Sequence, residues 1–498
     1  MAFITPWVTV AMVLLWRPTW ATKLHLKCST QNSSFQYLSK PPYNAEFTIT
    51  VALGTCQQPA LGIELGIGGI IDNALRPLVP LIRKATRYNW SWPLAYPFYR
   101  PRVPINQHVH LHFIKELEMS KILTSHVGSL PRTQEVVDYI FSKENQQHFD
   151  ETGFDKCMTS NVLDTVEKQK HAGIDIVSDG ETSKISYATY VKDRYTGFSG
   201  DSPRNPPEDL KLFPGFLKRL SDDGGTPQYA RPMCTGEVKS KGQGELQKDI
   251  SNLKAAMAKN GIERGFMNAA SPGVISLFLQ NDHYSTRDAY LAALADAMRD
   301  EYETIVASGL DLQLDCPDLA LSRHMLFSHL SDSEFIKVAE SHVEALNHAL
   351  QNVPEEKVRI HICWGNYEGP HCCDIDMNKV FSTLMKAKAQ YTLFETSNPR
   401  HAHEWTVFRD RKNEIPDNKI LVPGVVDTTT NFIEHPELVA ERIQKFVDIV
   451  GTQRVVAGSD CGFGTFAGFG AVDPDIAFAK LKSLSEGAAL VSKRMGGL

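Results

Sequence analysis

The sequence predicts an α/β protein built on a parallel sheet, and three observations predict it. From Met119 onward short β-branched runs alternate with amphipathic helical stretches, the pattern of strand–helix–strand units. This regular stretch spans 498 − 118 = 380 residues, enough for one eight-stranded barrel with insertions. With 42% hydrophobic and 22% charged residues the composition is that of a globular chain, which excludes a mainly disordered, collagen-like or disulfide-scaffold protein.

Residues 1–118 read differently and are taken as an N-terminal extension without an assigned fold. The apolar run at 7–16 is shorter than the roughly 20 residues a membrane span needs. As a signal peptide it lacks a preceding cation, the first being Arg17. The Gly-rich segment at 62–72 lacks the strand, G-x-G-x-x-G and helix order of a phosphate cradle and reads as a flexible turn. A Pro- and aromatic-rich stretch follows at 88–104. Nine cysteines, an odd and sparse set, fit reduced thiols in a cytoplasmic protein, where the N-x-S triplets at Asn32 and Asn89 are chance. The net charge of −6, without a long Lys/Arg block, leaves no footprint for nucleic acid or an anionic membrane.

Strands are expected at 122–125, 174–178, 265–269, 312–315, 358–363, 391–395, 421–426 and 455–459, with a weaker ninth at 233–238. Eight would close a barrel. Between them, Ser285 with Asp288 three residues on makes a capping-box-like start. Tyr290, Leu291, Leu294, Met298, Tyr302 and Ile305 then recur at helical spacing until Gly309. Pro436 opens another helix, whose stripe of Leu438, Val439, Ile443, Phe446, Val447 and Val450 ends at Gly451.

Chemistry-bearing residues sit where these strands end. His361 and Cys363, two apart at the end of an apolar run, share one side of a strand about 7 Å apart, within reach of one metal ion. Alone, this H-x-C favours a buried structural pair over a metal site. Glu395 and Cys461 also follow strands, and in parallel α/β folds such ends gather on the face that carries active sites. A Cys₂His set with a carboxylate suits zinc. Asp179, Glu181 and Asp315 add carboxylates on that rim. Asp179 fits a helix cap as well as a cavity, whereas Glu181 and Asp315 fit a cavity holding an ammonium group or sharing a proton. His371, Cys372 and Cys373 stand ten residues beyond His361 and fit either a local metal site or the pocket lining.

The segments LTSHVGSLPR at 123–132, VSDGE at 177–181, LQLD at 312–315, HIC at 361–363, FET at 394–396, VPGVVD at 422–427 and SDCG at 459–462 occur in register. Together they resemble the C-terminal half of cobalamin-independent methionine synthase, from about Met119 to the end of the chain. The resemblance implies a (β/α)₈ TIM barrel of the kind shared with uroporphyrinogen decarboxylase. It implies zinc on His361, Cys363, Glu395 and Cys461, and a thiol substrate held by Ser129, Glu181 and Asp315. A thiol of pKa near 8.5 is deprotonated outright on such an ion and becomes a nucleophile at neutral pH.

Three departures shape that expectation. Thr429 stands where the family has the histidine that protonates the folate leaving group, and a hydroxyl is a poor general acid. Cys316 stands where the family's Asp is followed by Glu, and residues 1–118 do not resemble the family's N-terminal barrel. The run at 364–370 (WGNYEGP) looks more like single-barrel relatives, which include epoxyalkane to coenzyme M transferases, and Met119 looks like the start of a complete single barrel. Residues 1–118 are then an extension or a gene-model artefact. The expected activity is zinc-dependent methyl or alkyl transfer to a small-molecule thiol, with Asp427 orienting a catalytic pocket group. The alternative is thiol addition to an epoxide or alkene without a folate donor.

Overall fold

The structure, a computed structural model, describes residues 24–28, 34–37, 48–51 and 121–495, apart from 148–149, 205 and 223–228. The chain divides into two compact units, Met1–Pro97 and Phe98–Leu498. In the first, Leu24–Cys28 pairs antiparallel with Ser34–Tyr37 and parallel with Thr48–Val51. The expectations for the apolar run at 7–16, the Gly-rich segment, the 88–104 stretch, Asn32 and Asn89 lie outside the described residues.

The second unit is a (β/α)₈ barrel. Its strands are β1 (Leu123–Thr124), β2 (Ile176–Val177), β3 (Arg264–Ala270), β4 (Asp311–Asp315), β5 (Val358–His361), β6 (Tyr391–Phe394), β7 (Ile420–Val426) and β8 (Val456–Ser459). The order is β1-β8-β7-β6-β5-β4-β3-β2, with every neighbouring pair parallel. The ring closes between β1 and β2 with few main-chain bonds. Asp175 N–H donates to Thr124 O (3.2 Å), Thr124 N–H to Asp175 Oδ2 (3.0 Å), and Ser125 Oγ to Ile176 O (3.2 Å).

Two-residue periodicity sorts each strand. Leu312, Leu314, Ile360 and Phe394 join the large core under the surrounding helices, while Phe266, Leu393, Val422 and Val456 form a separate cluster inside the ring. Arg359 shares that interior: its guanidinium lies 4.0 Å over the Phe266 ring and donates to Gln313 Oε1 (3.0 Å) and Ser125 Oγ (2.8 Å). The same parity carries Asp315, His361 and Glu395 to the mouth.

The differences from expectation are local. The ninth strand, Met233–Cys234, pairs antiparallel with Phe198–Ser199 and stays out of the ring. Strand β5 ends at His361, so Cys363 belongs to the loop. The helix Arg287–Ala307 is capped by Thr286, which accepts from Ala289 N–H (3.1 Å), rather than by Ser285. The helix Pro436–Val450 ends at Gly451, where φ is +83°, as expected. No helix among the described residues is long and apolar enough to cross a membrane. The seven cysteines described there are all unbridged.

Candidate metal centre

Three of the four expected ligands meet at the barrel mouth. His361, Cys363 and Cys461 are buried and place one ligand atom each within 4.8 Å of the others. His361 Nε2 is 3.8 Å from Cys461 Sγ, and its Nδ1 is 3.3 Å from Asp315 Oδ1. Asp315 is fixed in turn by Asn268, whose Nδ2 donates to Oδ2 (3.0 Å). Asp315 therefore buttresses the imidazole from behind, a contact the expectation of substrate binding did not include. His361 Nε2 also lies 3.0 Å from Asp460 O, so both ring nitrogens face oxygen acceptors, and an ion at Nε2 would take the place of that contact while Asp315 keeps the far N–H.

Glu395 stands beside this group and outside its mutual 4.8 Å reach. Its Oε1 is 3.6 Å from Cys461 Sγ and accepts Trp364 N–H (3.0 Å), while Oε2 accepts from Asn398 Nδ2 (2.7 Å). The loop bearing it is gathered by a residue whose role the sequence did not announce. Asp460 accepts the N–H groups of Thr396, Ser397 and Asn398 at 2.9, 3.0 and 2.8 Å. Gly424 makes room, since a Cβ there would lie 2.1 Å from Asp460 Oδ1.

The electrostatics favour a cation. Burial disfavours charge on His361, but the hydrogen bond it donates to Asp315 and the neighbouring Cys363 raise its pKa to about 9. The Cys461 thiol is pushed far up by Cys363 beside it and by burial. Asp460 is lifted to about 7 by burial and by Glu395 and Asp427 nearby. A dication reverses this balance, deprotonating thiols and imidazole together.

The expected substrate side lies on the loops after β1, β2 and β8. Glu181 adopts φ +55°, and its buried Oε2 has no hydrogen-bond partner. Burial, with Asp315 and Asp179 opposing Lys184 and Arg132, raises its pKa to about 7. Arg132 ties these loops together through the carbonyls of Glu181 (2.7 Å) and Gly464 (2.6 Å). Asp179 caps neither helix nor cavity: its Oδ1 accepts Glu181 N–H (3.0 Å) within the turn. Ser129 is buried against the Cys461–Gly462 turn, where a Gly462 Cβ would lie 1.9 Å from its Oγ.

Asp427 is engaged differently from the expectation. Its carboxylate accepts Thr429 N–H (3.1 Å) and Oγ1 (2.9 Å) and Thr430 N–H (2.9 Å) and Oγ1 (2.5 Å). With its oxygens so occupied it organises the Thr-rich turn, from which Thr428 Oγ1 donates to Asn366 Oδ1 (2.9 Å). His371 joins Asp374 and His401, whereas Cys372 is exposed and Cys373 half-buried, neither grouped with ligands. Tyr187 is a further residue that no sequence motif marked. Burial, reinforced by Cys363, Tyr229, Asp315 and Cys461, pushes its phenol pKa far up and keeps it protonated.

Residues 274–476 match the family described as cobalamin-independent synthase, catalytic domain. A methionine synthase of Sulfolobus acidocaldarius is 23% identical over 385 residues, covering 76% of this chain and 94% of that protein. A 2-hydroxypropyl-CoM lyase of Xanthobacter autotrophicus is 26% identical over 354 residues, covering 65% and 82%. Among solved structures, a B12-independent methionine synthase from a Shewanella species, in complex with selenomethionine, superposes with a TM-score of 0.56 at 20% identity. It covers 75% of this chain and 98% of that one, a likeness of fold.

Proposed function

We propose, on the premise that this barrel belongs to the cobalamin-independent methionine synthase family, that the chain is a zinc-dependent transferase that alkylates a small thiol at the barrel mouth. The observation that carries this reading is the buried group of His361, Cys363 and Cys461, with Asp315 behind the imidazole and Glu395 3.6 Å from Cys461. Two thiols, one oriented imidazole and an adjoining carboxylate fit the preferences of zinc. Zinc bound there supplies the positive charge that strips the substrate thiol of its proton at neutral pH.

The remaining roles fall to the chain itself. The partnerless Glu181 Oε2 receives the ammonium end of an amino-acid thiol, with Ser129 and Asp315 as the neighbouring contacts. Lys184 and Arg132 keep Glu181 in place without occupying that oxygen. In the transfer a sulfur–carbon bond forms, the bond from that carbon to its carrier breaks, and the leaving atom keeps the electron pair. The Tyr187 phenol, held protonated, offers that atom a hydrogen bond, and the proton that neutralises it comes from solvent.

A second reading is opening of an epoxide by the thiolate, without a methyl carrier. The saturated Asp427 carboxylate and Thr429 in the following turn favour it, because the family's imidazole acid is replaced by a hydroxyl already donated to Asp427. Thiol consumption with methyltetrahydrofolate and with terminal epoxides, measured side by side, separates the two. Metal content decides what they share: about one zinc at this centre, lost in Cys461→Ser together with activity, is expected. A metal-free active enzyme overturns it.

A further inference from the structure

The loops after β5 and β6 carry a second cluster of ligand-type side chains that alkyl transfer does not use. His371 Nδ1 and His401 Nε2 both lie 2.9 Å from Asp374 Oδ2, and ligand atoms of the three lie within 4.8 Å of one another. The outer nitrogen of each ring already has an oxygen partner. His371 Nε2 faces Tyr367 O at 3.0 Å, and His401 Nδ1 faces Glu404 Oε2 at 3.0 Å. This is the setting of metal-binding imidazoles, whose outer N–H donates to a carbonyl or carboxylate while the inner nitrogen is left for the ion.

A fourth ring supplies an independent observation. His324 is 2% exposed, yet neither ring nitrogen makes a hydrogen bond. Its Nε2 lies 3.2 Å from Asp374 Oδ1, an oxygen that is likewise buried and without a hydrogen bond. Held by hydrogen bonds alone, His371 and His401 must both be doubly protonated, while His324 meets Asp374 Oδ1 as a close pair outside hydrogen-bond geometry and its Nδ1 makes no hydrogen bond in the interior. One cation replaces the two inner protons and gives the unmatched atoms a partner.

We propose that His371, Asp374 and His401, with His324 as the adjoining fourth donor, bind a divalent transition-metal cation of the zinc class, separate from the cysteine-containing centre. Imidazoles with one carboxylate suit such an ion and not calcium or magnesium, which take oxygen donors throughout. The site braces the reactive one. The Trp364 ring stacks on His401 with centroids 4.2 Å apart, and its backbone N–H holds Glu395, so an ion here fixes the loops that carry Cys363 and Glu395.

The test uses the full chain, Zn²⁺ and Co²⁺. After saturation with Zn²⁺ and removal of the unbound ion, the wild type is expected to hold two ions per chain. Cys363→Ser/Cys461→Ser is expected to keep one. Its Co²⁺ form shows ligand-field absorption without thiolate-to-cobalt charge transfer, because the remaining donors are nitrogen and oxygen. Asp374→Asn/His401→Gln loses the second ion and keeps the charge-transfer band of the cysteine centre. One ion in the wild type, together with none in a folded cysteine double variant, overturns the proposal while leaving the zinc transferase reading intact. Should the Asp374/His401 variant fail to fold, the wild-type count and the cysteine variant decide. A zinc-dependent rise in Tm of the cysteine double variant is the readout independent of activity.

Discussion

Asp311 and Asp315 begin and end the same strand and face the same barrel interior, yet they are treated oppositely. At the closed end Asp311 is paired with two cations, Arg264 (3.2 Å) and Lys357 (2.9 Å), and Arg264 also reaches the Tyr391 hydroxyl (3.1 Å). At the mouth Asp315 has an imidazole and an amide, and beside it stand two thiols and Glu181, whose Oε2 has no hydrogen-bond partner although Lys184 and Arg132 lie near. One end of the barrel settles its charges within the protein, which serves stability. The other leaves a buried carboxylate oxygen and a His/Cys group open, which the proposed function assigns to an ammonium group and a cation.

This contrast can be broken at four places. The largest effect is expected from Cys461→Ser: metal content falls and turnover drops roughly 10³-fold or more, the loss of several kcal/mol of charge stabilisation. Atomic absorption and steady-state rates on the same preparation check it. Next is Asp315→Asn, which keeps the shape but removes the charge behind His361, so zinc affinity falls about 10–100-fold in competition with a chelator.

Glu181→Gln comes third and has a signature in pH. Ionised Glu181 is needed for an ammonium-bearing thiol, so the wild-type KM is expected to rise as pH falls through about 7, while the variant has a KM raised roughly 10–100-fold and no such step. Stability moves the other way. The folded-state pKa lies above the usual carboxylate value, so the native carboxyl binds its proton more tightly than the unfolded one, and stability is lost as pH rises from about 4.5 to about 7. The Gln variant is therefore expected to be more stable than wild type at pH 8, by at most about 3 kcal/mol, and level with it below pH 4.5. Thermal melts at the two pH values settle the sign. The smallest functional effect belongs to Asp311→Ala, which is expected to cost on the order of 1–2 kcal/mol of stability with kcat and metal content unchanged. A variant at Asp311 that loses metal would erase the distinction between the two ends.

Much of the site was legible because strand periodicity is. His361 and Cys363 stand two apart, and Asp315, Glu395 and Cys461 each follow an apolar run, so their meeting at one mouth follows from the parallel topology that the strand–helix alternation predicts. Asp460 was hidden by the kind of work it does. It holds three backbone N–H groups some 60 residues away in sequence, and backbone donors leave no trace in residue identities. The sequence suggests that Asp427 orients a pocket group, and it does not show that both carboxylate oxygens are taken by the hydroxyls and amides of Thr429 and Thr430 in its own turn. The strand at 233–238 misled because a short β-branched run does not say whether it pairs inside the ring or across a loop. His324 and His401 were silent, since nothing in the spacing of residues 324, 371, 374 and 401 announces that three loops converge.

The join between β1 and β2 gives the barrel a place to grow. The proposed metal ligands come from the ends of β5, β6 and β8, on strands paired through β7, whereas the loops carrying Ser129 and Glu181 flank a join held mainly by Asp175, Thr124 and Ser125. Widening at that join leaves the His361, Cys363 and Cys461 group undisturbed, so under the proposed function room for bulkier thiols can evolve through Thr124 and Asp175 without retuning the chemistry.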